Sequence, residues 1–75
     1  MTGFGVRFTR LNVDSWGEPI APTNAERAQG FVRVIQRAQD GEYRTWYIFD
    51  SAANAQQFIG PDNQLGGVVE EIWYL

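Results

Sequence analysis

The pattern of apolar and polar positions at the start of the chain, and the residue content at its end, each predict a strand. Between positions 3 and 9, phenylalanine and valine alternate with glycine and polar residues, which is the period of a half-buried strand. The phase shifts at Arg10, so the strand is predicted to run to about residue 13 with room for a bulge near its end. Residues 68–75 are rich in Val, Ile, Trp and Tyr and predict a final strand. Residues 14–22 hold one Gly and two Pro without a period and predict a loop.

The stretch that follows the loop admits two interpretations. Thr23 and Glu26 have the spacing of a capping box, so a helix is expected to begin there. Apolar residues from 25 to 38 share one helical face, yet positions 31–37 are also rich in β-branched residues. Gly30 would cost about 1 kcal/mol relative to Ala inside a long helix, whereas it would naturally end a short one.

The Asp40-Gly41 pair favours the short helix. These two residues suit the positive φ angles of a two-residue hairpin turn. We therefore predict a hairpin of residues 31–39 with 42–50. Its register places Arg37 opposite Arg44, and this unfavourable like-charge pair keeps the long helix open as the alternative.

A second short helix completes the predicted fold. Asp50 or Ser51 can cap it, and Gly60-Pro61 ends it. The elements predict a single α+β domain over residues 1–75, with an antiparallel sheet of about four strands and two short helices. A ferredoxin-like β-α-β-β-α-β order is the specific expectation.

Composition argues against an enzyme. The chain contains no His and no Cys, and all of its basic residues are Arg. It therefore lacks the usual base near neutral pH, thiol nucleophile and Schiff-base lysine. No motif for a cofactor or a metal is present, so neither is expected. Without a signal peptide, a cysteine or an apolar run of roughly 18 residues, we expect a cytoplasmic protein that binds no membrane.

The hairpin register divides the aromatic residues, which form 15% of the chain, between two sheet faces. One face would receive the second helix through Val32, Val34, Tyr43, Tyr47 and Phe49. The other would carry Phe31, Arg33, Ile35, Arg37, Arg44, Trp46 and Ile48. This mixed face predicts a contact surface or a homodimer interface. In the alternative, Trp46 and Ile48 belong to the core. The pI near 4.6 and the absence of Lys argue against direct nucleic-acid binding.

Charge is distributed unevenly. Every charged residue after Arg44 is acidic, which gives that segment a net charge of −4. We expect these carboxylates either to solubilise the domain or to contact a basic site on a larger protein or ribonucleoprotein complex. The predicted partner-binding residues are three acids, three tryptophans as aromatic anchors and one arginine of the mixed face. They are Asp62, Glu70, Glu71, Trp46, Trp73, Trp16, which lies in the predicted loop, and Arg44.

The run from Asp40 to Pro61 resembles a stretch of some small phage-encoded anti-CRISPR proteins. It consists of a hairpin turn, a strand ending in Phe49-Asp50-Ser51, a short helix and Phe58-Ile59-Gly60-Pro61. The resemblance implies a compact α+β inhibitor, acting in the host cytoplasm, that occupies a surface of a larger effector complex. Such inhibitors often present carboxylates where nucleic acid would lie. The predicted function is thus a non-catalytic binding module; a self-associating structural protein and a small-ligand binder or minor enzyme are the alternatives.

Overall fold

The computed structural model describes residues 1–10 and 28–75. The elements in chain order are β1 (Thr2–Phe8), β2 (Phe31–Gln39), β3 (Glu42–Phe49), α1 (Ala52–Ile59) and β4 (Gly67–Trp73). The strands form one antiparallel sheet in the order β2-β3-β1-β4. The α+β class and the four-stranded antiparallel sheet are confirmed. The predicted loop at residues 14–22 and the helix beginning at Thr23 lie outside the described residues, so the second helix and the ferredoxin-like arrangement stay predictions.

The β2-β3 hairpin forms as the turn residues predict. Asp40 and Gly41 have φ angles of 54° and 80°, and Gln39 pairs with Glu42 across the turn. Gly30 precedes β2 with a φ of 71°, outside the helical range, and its carbonyl accepts a 3.0 Å hydrogen bond from the Asp50 amide. The long-helix alternative is therefore wrong.

A bulge at the start of β2 changes which face Phe31 occupies. Phe31 pairs with Phe49 and Arg33 pairs with Ile48, so Val32 is an extra residue in the ladder. Phe31 packs against Phe49 on the helix side, with ring centroids 5.8 Å apart. The prediction that Phe31 lies on the mixed face with Arg33 is wrong, because the extra residue shifts the alternation by one position.

The short helix α1 lies across one face of the sheet. Ser51 caps it by accepting a 3.1 Å hydrogen bond from the Asn54 amide, and Gly60 ends it with a φ of 83°. The helix buries Ala55 and Ile59 against the sheet. The buried members of this helix-side core are Val6, Tyr47, Phe49, Ala55 and Ile59. Both boundaries of this helix agree with the prediction.

The first and last strands of the chain, β1 and β4, end before the residues that the sequence pattern suggests. β1 ends at Phe8, and residues 9–10 form a turn instead of extending the strand. The amides of Thr9 and Arg10 donate to carbonyls of Gly66 and Leu65, which ties this turn to the residues before β4. Within the described part of the chain, no helix is long and apolar enough to cross a membrane.

Candidate interaction surfaces

The side of the sheet opposite α1, here called the second face, carries its own buried cluster. Its members are Trp46, Ile48, Ile72 and Tyr74, none more than 8% exposed. They are buried because β1 contributes Gly3 and Gly5 to this face. A Cβ atom at Gly3 would lie 2.7 Å from Ile48 Cγ2, and one at Gly5 would lie 3.0 Å from Trp46 Cδ1. The missing side chains let those of neighbouring strands lie across β1 and contact one another.

Two arginines of β2 cover this cluster. The Arg33 guanidinium lies over the Tyr74 ring at 4.5 Å, and that of Arg37 lies 5.8 Å from the Trp46 ring. Arg37 Nη2 also donates a 2.5 Å hydrogen bond to the Trp73 carbonyl, and Arg33 donates to a backbone oxygen of Leu75. β2 and β4 are the two edges of the sheet, with β3 and β1 between them. The sheet therefore curls around the cluster, and arginine side chains join its edges.

Glu70 lies on the second face and is already engaged by the chain. Its carboxylate accepts hydrogen bonds from Arg7 at 2.9 Å and from Trp46 Nε1 at 2.8 Å. The Arg7 hydrogen bond, followed by that from Trp46, lowers the pKa of Glu70, and the positive charge of Arg44 adds to the shift. Glu70 therefore stays ionised at neutral pH, and Arg7 neutralises its charge locally.

The neighbouring acid, Glu71, lies on the opposite side of β4. Adjacent strand residues alternate between faces, so Glu71 shares its side with Trp73 and Leu75. All three are exposed, Trp73 at 58% and Leu75 at 89%. We call these three residues the β4 row. The row places a carboxylate and a large aromatic ring on an edge strand.

The other predicted contact residues do not join the β4 row. Asp62 is exposed in the loop before β4, and the strand that lies between it and Trp73 in the chain has seven residues and a length of about 20 Å. Arg44 is half-buried on the second face, and Trp46 is part of the cluster there. Trp16 lies outside the described residues. Arg7 was absent from the predicted set because its partner Glu70 is 63 residues away, beyond any local sequence signal.

A groove opens on the second face between the two edge strands. Its volume is about 450 Å³, and it is lined by Arg37, Ala38, Trp46, Glu70, Glu71 and Ile72. In the described ranges, no group of three or more His, Cys, Asp or Glu side chains is placed to hold a metal ion. The groove combines an indole floor with both signs of charge, which suits binding of a polar group.

Comparisons with protein-family models, curated proteins and solved structures find no match.

Proposed function

We propose that this chain is a non-catalytic protein-binding module whose β4 row docks on a basic surface of a larger protein. The observation that carries the proposal is the 58% exposure of Trp73 on an edge strand. Tryptophan buries a large rigid surface on binding and is enriched among residues that dominate interface energies. Glu71, two residues before it on the same side, supplies a charge complementary to arginine or lysine.

The two side chains have different parts in this docking. Exposed carboxylates such as Glu71 raise the association rate by steering the encounter, and salt screens this effect over about 8 Å at physiological ionic strength. The indole of Trp73 acts once the complex has formed, so its loss speeds dissociation. Glu70 contributes less to steering than the sequence suggests, because Arg7 already offsets its charge.

The biological role we propose is inhibition of a larger nucleic-acid-handling complex in the cytoplasm of a phage-infected host. It rests on the resemblance of residues 40–61 to anti-CRISPR proteins and on the excess of carboxylates after Arg44. The absence of His, Cys and Lys from the sequence supports a stoichiometric mechanism without turnover. A ferredoxin-like fold with a further helix between β1 and β2 is part of the same proposal.

The test is comparative capture from host lysate with immobilised protein. Wild type and Val68→Ala should retain the same partner, whereas Trp73→Ala should lose it. Val68 is a matched control because it is 37% exposed on the same strand. With the partner purified, Trp73→Ala should cost about 2 kcal/mol or more in binding free energy, mainly through faster dissociation. Glu71→Arg should slow association and weaken its salt dependence.

Equal capture by the Trp73→Ala and Val68→Ala proteins would contradict the proposal. Self-association is the alternative, because β4 is an edge strand and sheet edges can pair with a second copy of the chain. Light scattering distinguishes the two by the mass of the protein in solution. A mass of twice 8.5 kDa that returns to the monomer value in Trp73→Ala would assign the β4 row to a homodimer instead.

A further inference from the structure

The described side chains of the second face carry a net charge opposite to that of the whole chain. The chain carries a net charge of −3, yet the described side chains on this face include four arginines and one glutamate. Arg7 is paired with Glu70, and Arg33 binds a backbone oxygen of Leu75. Arg37 and Arg44 form no ion pair with a described carboxylate side chain. Arg44 acts on Glu70 only through space, and that carboxylate is already paired with Arg7, so no described side-chain ion pair neutralises Arg37 or Arg44.

Arg37 and Arg44 lie directly opposite each other in the β2-β3 ladder. Like charges in this position destabilise a sheet. The register is fixed by the Asp40-Gly41 turn, so the pair cannot be relieved by a slip of one strand. A carboxylate placed between the two guanidinium groups would turn this repulsion into attraction.

Hydrogen-bond donors for such a carboxylate are present. A guanidinium group has five N–H donors, and the Arg37 group gives one to the carbonyl of Trp73, an uncharged acceptor. Arginine binds carboxylates through two parallel hydrogen bonds, which are stronger than bonds between neutral groups. The groove of about 450 Å³ beside Arg37 offers room for an incoming side chain.

We propose that the second face binds an acidic segment of a partner protein, with one of its carboxylates held between Arg37 and Arg44. β2 is an edge strand, so an extended segment can lie along it. Glu71 borders both this groove and the β4 row, but the proposal rests on Arg37 and Arg44 and does not depend on the role proposed for the Trp73 indole.

A protein segment fits the second face better than single-stranded nucleic acid does. Single-stranded nucleic acid gains affinity by stacking bases on exposed aromatic rings. Trp46 and Tyr74 are only 6% and 7% exposed, and arginines cover both. A carboxylate, by contrast, can bind by contacting only the N–H groups at the edges of the guanidinium groups.

The test uses a nine-residue synthetic peptide in which Glu alternates with Ser, and a matched peptide with Gln in place of Glu. Binding is measured by fluorescence anisotropy and by the indole N–H resonances in a proton–nitrogen NMR spectrum. The Glu peptide should shift the Trp46 signal, whose proton is donated to Glu70, and leave the Trp73 signal in place. The Gln peptide should shift neither.

Arg44→Glu should weaken binding of the Glu peptide by about tenfold or more, because it replaces a binding cation by a repelling anion. Arg10→Glu makes the same charge change in the exposed turn after β1 and should alter affinity less than about twofold after screening. If Arg44→Glu fails to fold, Arg44→Gln should still weaken binding more than Arg10→Glu does.

Three outcomes would overturn the proposal. The first is equal binding of the Glu and Gln peptides. The second is equal loss of affinity in the Arg44 and Arg10 variants. The third is tighter binding of a twelve-residue oligothymidylate than of the Glu peptide with the same Trp46 shift, which would assign the face to nucleic acid.

Discussion

Replacing Gly30 by alanine should lower the free energy of unfolding by more than the cost of the left-handed backbone conformation alone. Gly30 has a φ of 71°, and the left-handed region costs a residue with a Cβ about 1 to 2 kcal/mol. The new Cβ would also overlap Asp50 Oδ1 and Asn54 Nδ2. Moving Asp50 away would break its 2.7 Å hydrogen bond from Asn54. An exposed hydrogen bond contributes about 0.5 to 1 kcal/mol, so the total loss should be about 1.5 to 3 kcal/mol.

Gly41 provides the matched control for this substitution. Its φ is 80°, but a Cβ there would meet nothing within 4 Å. Gly41→Ala should therefore lose only the backbone term of about 1 to 2 kcal/mol. Alanine stiffens the unfolded chain similarly at both positions, so the difference between the variants isolates the contacts around Gly30. Both values come from urea unfolding followed by tryptophan fluorescence.

A Gly30→Ala protein as stable as wild type, or no less stable than Gly41→Ala, would refute this reasoning. A gain of about 1 kcal/mol is the value expected for a glycine inside a helix, and it would restore the long-helix alternative.

Two further predictions concern the second face. Because the folded pKa of Glu70 is lowered from 4.5, its contribution to stability is present above that value and is lost as pH falls through the folded pKa. Glu70→Gln should therefore be less stable than wild type at pH 7 and should lose less stability in acid. Urea midpoints that change alike in both proteins between pH 7 and pH 3 would contradict this prediction. Gly3→Ala should lower stability by about 1 to 3 kcal/mol by overpacking against Ile48; an unchanged thermal midpoint would show that the second-face cluster tolerates a methyl group.

Local signals made the hairpin and α1 predictable from the sequence. The Asp40-Gly41 turn sets its own backbone angles and thereby the register of β2 with β3. Ser51 and Gly60 determine where α1 begins and ends through hydrogen bonds and φ angles of single residues. Such features need no distant partner, so a short window of sequence contains the required information.

The structural features that were predicted wrongly, or not predicted at all, depend on residues far apart in the sequence or on a backbone irregularity that no glycine or proline signals. The bulge at Val32 moves Phe31 to the helix side, yet no glycine or proline marks that position. Burial of Trp46 on a face without a described helix depends on Gly5, which comes from another strand. The pairing of Glu70 with Arg7 joins the first and last strands of the described chain.

The same distinction applies to the candidate site. The sequence identified an acidic segment and its aromatic residues, and the strand period already implied that Glu70 and Glu71 point to opposite faces. Only the structure shows that Glu70 is engaged internally, that Glu71 is exposed with Trp73, and that Asp62 lies at the far end of β4. One acidic stretch thus divides into three separate environments.

Arginine gives the second face both its cover and its charge. A guanidinium is planar and can lie on an aromatic ring while its edge donates hydrogen bonds, whereas an ammonium group can supply only a point charge. Arg37 uses both properties, since it lies over Trp46 and donates to the Trp73 carbonyl of the far edge strand. Its stem shields apolar surface that would otherwise need a second layer of secondary structure. The charge that this cover brings is then available to a partner, and a ligand that binds only the folded state stabilises that state by mass action. Binding an anion at Arg37 would therefore favour the curled sheet, because the guanidinium that would hold the anion also joins the two edges of that sheet.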